Sequence, residues 1–278
     1  MVRLLSIELQ KLRYNRSAKA ISIVYFALIT AIALIASIEF DFGSVHFRIA
    51  DQGIFNFPFI WHFNGYMAAL LKIFLAIVIV SMMSNEYSYR TLKQNLIDGM
   101  SKKEVVVSKF LTVILFALVS TLFLFVVSMI LGLSFSDYNE LGIIFSDMEY
   151  LLAYFVKLVG FFAFCLFLGV LVKRSAFALG FLVIWFILEN IAYGVMKWKL
   201  FKDTDIAEQI SQFFPLEAMG NLVKEPFTRL GAVQSAANQL GEEFTKDYGV
   251  KWYTLLIVIV WTALFVYWSY LILKRRDL

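Results

Sequence analysis

Six long apolar stretches dominate this chain of 278 residues. Each is about as long as the ~20 residues that a helix needs to cross a hydrocarbon core about 30 Å thick. None shows strand-like alternation, and an unpaired backbone group is costly in lipid, so the stretches predict transmembrane helices. We expect an all-α polytopic membrane protein with one membrane domain over residues 1–278. The stretches are 21–38, 65–83, 110–133, 151–172, 176–196 and 252–273.

Composition and motifs exclude several soluble classes. Hydrophobic residues make up 61% of the chain, and its formal net charge is +4. Lysine and arginine lie in particular loops, not on a face with interleaved aromatic residues, so nucleic acid is not an expected partner. The single cysteine, Cys165, lies within the fourth span, which excludes a disulfide framework. The chain contains no H-E-x-x-H and no G-x-S-x-G, so we do not expect an enzyme.

Positively charged residues predict the orientation of the spans, because cytoplasmic loops are enriched in lysine and arginine. The segment before the first span and the connection between the second and third spans each carry five basic residues, whereas the connection between the third and fourth spans carries none. We therefore expect both termini in the cytoplasm. The ten basic residues are Arg3, Lys11, Arg13, Arg16 and Lys19, then Arg90, Lys93, Lys102, Lys103 and Lys109.

Residues 1–19 predict an amphipathic helix that lies in the inner interface of the membrane. Val2, Leu5, Leu9 and Leu12 fall on one helical stripe. Such a helix would place its basic residues against anionic headgroups and its leucines at the acyl boundary. A basic tail that only sets the topology is the alternative.

The connection between the second and third spans predicts a short cytoplasmic helix. Leu92 and Leu96 are four residues apart after Thr91, and Asp98-Gly99 is typical of a turn. Ser101 and Glu104 then match a capping box for the next helix. A rigid surface helix of this kind often binds a partner, although a solvated charged hairpin is the alternative.

The long connection over residues 197–251 predicts three amphipathic helices on the outer side. Apolar residues recur at helical spacing in 206–214, 216–230 and 233–244. None of these segments is long or apolar enough to span a membrane, so each would lie flat or dip partway in as a re-entrant segment. The pattern fits an outer lid and a purely stabilising cap equally well.

Three ionisable residues lie within the spans: Lys72, Lys157 and Glu189. Counted from the predicted span ends, Lys157 and Glu189 lie about 9 and 10 Å from the same surface at 1.5 Å per residue. Charged groups in a membrane usually pair. We therefore predict a Lys157–Glu189 pair, with Lys72 joining it or snorkelling outward, in a structural or a substrate-facing role.

The arrangement resembles the permease subunits of ABC transporters of the type 2 exporter class over nearly the whole chain. The matching layout has a basic amphipathic amino terminus, six spans and a helical outer region with a Phe214-Pro215 break. The loop between the second and third spans matches at Glu86, Arg90-Thr91, Ser101-Lys102 and Lys109, and the chain closes on Lys274-Arg275-Arg276-Asp277-Leu278. The family usually has a Gly-Thr pair followed by Pro and Ser-Arg, so Arg90 and Lys102 depart from the pattern and the proline is missing.

The resemblance implies a division of labour. A separate ATPase would bind ATP and Mg and hydrolyse ATP, while two permease copies, identical or homologous, would form a twelve-helix export pathway in the lipids of the bacterial inner membrane. The chain contains no G-x-x-x-x-G-K-[ST], so it encodes no P-loop and is expected to bind no cofactor itself. The coupling helix in the ATPase groove would contain Thr91, Leu92, Lys93 and Leu96, framed by Glu86, Arg90, Lys102 and Lys109.

Two other classes share much of this layout. An ion-coupled secondary transporter would favour inverted repeats and spans broken by Gly or Pro, yet Pro58, Pro215 and Pro226 lie outside the spans. A membrane scaffold or sensor without transport would have the same topology. The sequence leaves open the substrate, the transport direction and the choice between a homodimer and a heterodimer.

Overall fold

The structure, a computed structural model, describes residues 2–42, 45–202, 204–239 and 247–276. This part of the chain is almost entirely helical, which confirms the prediction of an all-α membrane protein. Its only described strands, β1 (Glu39–Phe42) and β2 (Val45–Arg48), form an antiparallel hairpin after the first span. The predicted helical positions Leu240 and Phe244, and the closing Asp277-Leu278, lie outside the described residues.

Thirteen α-helices follow one another in the described residues. A π-turn over Met196–Leu200 continues α9, and short 3-10 turns cover Ile49–Gln52 and Phe227–Arg229. The helices are α1 (Val2–Tyr14), α2 (Arg16–Ser37), α3 (Phe59–Leu70), α4 (Lys72–Ser88), α5 (Thr91–Ile97), α6 (Lys102–Phe135), α7 (Leu141–Ile144), α8 (Glu149–Val172), α9 (Ser175–Val195), α10 (Ile206–Ser211), α11 (Pro215–Asn221), α12 (Gly231–Gln239) and α13 (Trp252–Arg275).

Five helices in the described residues are long and apolar enough to cross a membrane by themselves: α2, α6, α8, α9 and α13. Helices α3 and α4, which meet at a bend of 46°, pass the same test when taken together and make a sixth candidate span. The predicted second span, 65–83, is therefore wrong as a single helix. The Leu71 N–H donates to the Ala68 carbonyl, and the Phe74 N–H to the Leu71 carbonyl, so the helical ladder tightens locally with neither Gly nor Pro at the break.

The core of the bundle is α8. About two thirds of its apolar window is buried (67%), compared with 11% for α9. Small residues allow its neighbours to approach closely, as they do in many membrane bundles. At Gly169 a Cβ would lie 3.2 Å from the Met83 Cβ of α4, and at Gly160 a Cβ would lie 2.7 Å from the Val258 Cγ1 of α13.

The short helices predicted in the two long connections are present. Thr91–Ile97 forms α5, and the Ser101–Glu104 capping box starts α6 with both of its hydrogen bonds. Residues 197–251 contain α10, α11 and α12. The amino-terminal helix α1 also forms, and Asn15 separates it from α2 by capping the first turn of that span.

The close approach of α8 and α13 at Gly160 gives a testable consequence. Gly160→Ala places a methyl group against the stiff, β-branched Val258, so we expect a loss of about 1–3 kcal/mol of stability. Gly180→Ala is the matched control, because a Cβ there meets nothing within 4 Å. Thermal unfolding of the two purified variants in detergent measures the difference. Equal melting temperatures would contradict the close packing of α8 on α13.

Candidate functional site

One buried lysine joins three helices at the end of the bundle that carries α5. The Lys109 Nζ of α6 donates to Glu8 Oε2 of α1 and to Glu86 Oε1 of α4, each at 2.6 Å. Lys11 Nζ approaches the same Glu86 oxygen at 2.7 Å. Lys109, Glu8 and Glu86 are each 1–2% exposed. Two carboxylates and two ammonium groups therefore balance their charges in this cluster, which we call the Lys109 cluster.

The Lys109 cluster also holds α5. The second carboxylate oxygen of Glu86 accepts hydrogen bonds from Thr91 Oγ1 at 2.6 Å and from Asn95 Nδ2 at 3.5 Å. Leu92 is 2% exposed and packs into the core beneath α5. The Glu86 carboxylate of α4 thus contacts side chains of α1, α5 and α6. Helix α5 is held against the spans by these side-chain contacts as well as by the connecting backbone.

Arg90 forms the tight turn between α4 and α5. Its φ of 56° lies in the left-handed region that favours glycine. This geometry explains why a glycine suits the first position of the Arg90-Thr91 pair. The Arg90 side chain is exposed, and among the described residues no hydrogen bond or ion pair holds its guanidinium.

The structure corrects the expected contact surface of α5. Glu86, Leu92 and Lys109 are buried, so they support α5 from beneath and cannot frame it against another protein. Lys102 instead donates to the carbonyl oxygens of Lys274 at 3.2 Å and Arg276 at 2.7 Å. Leu96 is half-buried. Gln94 and Asp98 are exposed and hydrogen-bonded to each other, with Gln94 Nε2 donating to Asp98 Oδ1 at 3.0 Å. We call the other large exposed side chains the α5 face: Tyr89, Arg90, Lys93 and Ile97.

Sequence reasoning missed several members of this site. The sequence places Glu8 and Lys11 only within the amphipathic segment 1–19, although an acidic residue beside its apolar stripe is a signal for a buried partner. Tyr89 and Ile97, which are 75% and 69% exposed, are the apolar part of the α5 face. Neither follows from the Leu92–Leu96 spacing that predicted the helix.

Arg276, directly after the last span α13, binds the ends of α4 and α8 near α5. Arg276 donates to the carbonyl oxygens of Val170 at 2.5 Å and Leu171 at 2.8 Å, which lie in the last turn of α8, and to the Tyr87 hydroxyl at 3.0 Å. A cation at a helix carboxyl terminus satisfies carbonyls that have no partner within the helix. The ends of α4, α6, α8 and α13 are therefore linked to one another near α5.

At the other end of the bundle, the predicted Lys157–Glu189 pair is wrong. Glu189 accepts the backbone N–H groups of Leu216 and Glu217, at 3.1 to 3.2 Å, at the amino end of α11. Lys157 donates to carbonyl oxygens at the other end of α11. The reason is that helix ends carry unpaired backbone groups and a dipole, which offer each charge a partner of opposite sign.

Lys157 completes this arrangement from α8. Its Nζ donates to the carbonyl oxygens of Gly220 at 3.3 Å and Val223 at 3.1 Å. The seven-residue α11 is thus held between an anion on α9 and a cation on α8. Lys72 joins neither group, and its Nζ lies 4.8 Å above the Phe161 ring.

A histidine cluster fastens the chain that follows α11. The His62 Nδ1 lies 3.0 Å from Arg229 Nη1, and its Nε2 lies 2.9 Å from the Lys224 carbonyl oxygen. Because arginine can only donate, Nδ1 is the acceptor and Nε2 carries the hydrogen. The His62 ring also stacks on Tyr150, with centroids 4.3 Å apart. His62 therefore ties residues 224–229 to α3 and α8.

Comparison with known families agrees with this architecture. The family model described as ABC-2 family transporter protein matches residues 3–278. The chain belongs to this family. A comparison with curated proteins gives no match. In an ABC-2 permease the α5 face and the clusters behind it are the candidate site, because α5 joins two spans and presents exposed side chains away from the bundle.

The Lys109 cluster makes the permease sensitive to loss of one cation. Lys109→Met leaves the Glu8 and Glu86 carboxylates buried, and among the described residues only Lys11 remains as a cation within ion-pair distance of them, so we expect a loss of about 3–5 kcal/mol of stability. The change should lower the melting temperature in detergent and release α1 to protease.

Lys103→Met, on the exposed side of the same helix, is the control and should change neither quantity. A Lys109→Met variant as stable as the control would contradict the cluster.

The two charges around α11 give a separate prediction. Lys157→Met removes a donor from two carbonyl groups and should cost about 1–3 kcal/mol, and Glu189→Gln should also loosen α11. Because both charges hold the same helix and neither binds the other, the double variant should be no more stable than the less stable single variant. Protease cleavage within residues 200–230 measures the loosening. Rescue in the double variant would instead indicate direct pairing of Lys157 with Glu189.

Proposed function

We propose that this ABC-2 permease is the membrane-spanning subunit of an ATP-driven exporter. It would form the translocation pathway, while a separate P-loop ATPase subunit binds and hydrolyses ATP beneath α5 in the cytoplasm. Family membership supports the permease assignment. The observation that supports a role of α5 in coupling the ATPase to the spans is that the Lys109 cluster holds α5 through hydrogen bonds to Glu86.

These contacts matter because a helix that transmits motion from the ATPase must be bound more firmly to the spans than to the ATPase. Glu86 binds Lys109 of α6 and Thr91 of α5 at 2.6 Å in both cases. A displacement of α5 would therefore move α4 and α6 with it, instead of bending the loop. Rigid-body tilting of packed helices is an established way to alternate access to a pathway.

The α5 face has the chemistry of a docking surface. Arg90 and Lys93 supply positive charge, and Tyr89 and Ile97 supply exposed apolar area. Short helices that bind in grooves combine an apolar anchor with a charged rim in this way. We infer that the partner groove is apolar with an acidic border.

We also propose that two permease copies assemble side by side. Only 11% of the apolar window of α9 is buried, whereas α8 is enclosed by its own chain. A span with so little cover inside the monomer is available to another copy or to lipid. Two copies would place two α5 faces against a pair of ATPase subunits.

Purification from native membranes tests the ATPase contact. Arg90→Glu reverses a charge on the α5 face, so it should remove a co-purifying P-loop ATPase or reduce its recovery by about tenfold, which is the effect of about 1.4 kcal/mol. Arg174→Glu is the matched control, because Arg174 is also exposed, between α8 and α9, and lies outside the α5 face. Mass spectrometry of the bound proteins gives the comparison.

Arg90→Gly separates charge from backbone strain. Glycine suits the φ of 56° at this position, so this variant should fold at least as well as the native chain and still bind the ATPase less tightly. Undiminished ATPase recovery with both Arg90 variants would contradict the docking role of the α5 face.

A chain that purifies without any ATPase would favour a secondary transporter or a scaffold. One structural observation bears on the first of these: the second span is broken at Leu71 although it has no proline or glycine there. Broken spans are common in secondary transporters, so the absence of proline from the spans does not by itself exclude that class.

A further inference from the structure

A cavity of about 550 Å³ lies between the start of α4, the middle of α9 and α11. This volume is within the usual range for small-molecule sites. Its walls are mainly apolar and include Phe161, Leu182, Phe186 and Phe214. Ile73 and Phe186, on its rim, are 40% and 57% exposed, so the cavity opens sideways from the bundle.

Lys72 is the cation of this cavity. Its Nζ lies over the Phe161 ring, 4.8 Å from the centroid, and no carboxylate of the described residues comes within ion-pair distance. A ring face attracts a cation but leaves it without a counter-ion. A lysine in a span is costly when it has no anion, and such residues usually mark a ligand or an ion path.

The acidic residues of the cavity do not serve as that anion. Glu189 accepts N–H groups from Trp185 at 2.6 Å and from Leu216 and Glu217, so its charge is directed at α11. Glu217 is exposed at the rim and accepts from Asn221 at 3.2 Å. Solvent screens an exposed charge of this kind. Lys72 remains the charge in the cavity that lacks a partner of opposite sign.

We propose that this cavity binds an amphiphile with an anionic headgroup. The headgroup contacts Lys72, and the apolar chain lies along Phe161 and Phe186 and leaves through the side opening. A carboxylate or a phosphate would satisfy the lysine by a charge-assisted hydrogen bond. That such a molecule is also the exported substrate rests on the function proposed above, whereas the binding itself does not.

Binding to the purified chain in an uncharged detergent tests the proposal, with dodecanoate, dodecanol and phosphatidylglycerol as probes. We expect dodecanoate to bind one per chain, about tenfold more tightly than dodecanol, which is the effect of one charge-assisted contact. Lys72→Met should remove this preference, and Lys72→Arg should retain it. Lys199→Met is the control, because Lys199 is exposed and lies outside the cavity.

A second variant tests the cavity independently of charge. Val183 lines the cavity and is 56% exposed, so Val183→Trp should fill it without disturbing the core and should weaken dodecanoate and dodecanol alike. Phosphatidylglycerol that binds with the same dependence on Lys72 identifies a lipid as an occupant, and a preference for dodecanoate alone identifies a single-chain acid.

Equal affinity for dodecanoate and dodecanol, or unchanged binding in Lys72→Met, would overturn the proposal. The outcome is independent of the ATPase experiment. An ATPase that co-purifies with a chain that binds no anionic amphiphile leaves the function standing and removes this inference, whereas binding without an ATPase does the reverse.

Discussion

The contact of Lys109 with two buried carboxylates is the interaction on which the α5 end of the molecule depends. Glu8, Glu86 and Lys109 come from three different helices, and none of them has access to water that would compensate its charge. Removing any one would leave an uncompensated charge, so the helices are held in one arrangement. The amino-terminal helix α1 is consequently part of the packed structure.

Three charged side chains away from this cluster bind backbone groups at helix ends and do not pair with one another. Glu189 and Lys157 hold the two ends of α11, and Arg276 covers the carboxyl end of α8. The termini of short or ending helices carry unpaired N–H and C=O groups, whose desolvation is costly in a membrane protein. Ionised side chains supply those partners and neutralise part of the helix dipole.

The sequence predicts local features well and distant pairings poorly. The spans, α5 and the Ser101–Glu104 capping box follow from periodicity and adjacent residues. The partner of Glu189 does not, because matched depth on two spans cannot reveal that α11 inserts between them. The sequence also gives no sign of the break at Leu71, because neither Gly nor Pro stands there. The burial of Lys109 depends on Glu8, which is about a hundred positions earlier in the chain.

The break at Leu71 divides the second span into two bodies with different attachments. On the carboxyl-terminal side of the break, α4 is a helix of 17 residues, about 26 Å long, and α5 follows its far end. On the amino-terminal side of the break, His62 of α3 binds residues 224–229, which follow α11. In the function proposed above, a displacement of α5 by the ATPase would rotate α4 about this break while α3 stays in place. The cavity wall beside Lys72 lies at this break, so a small rotation of α4 would change the shape of the cavity.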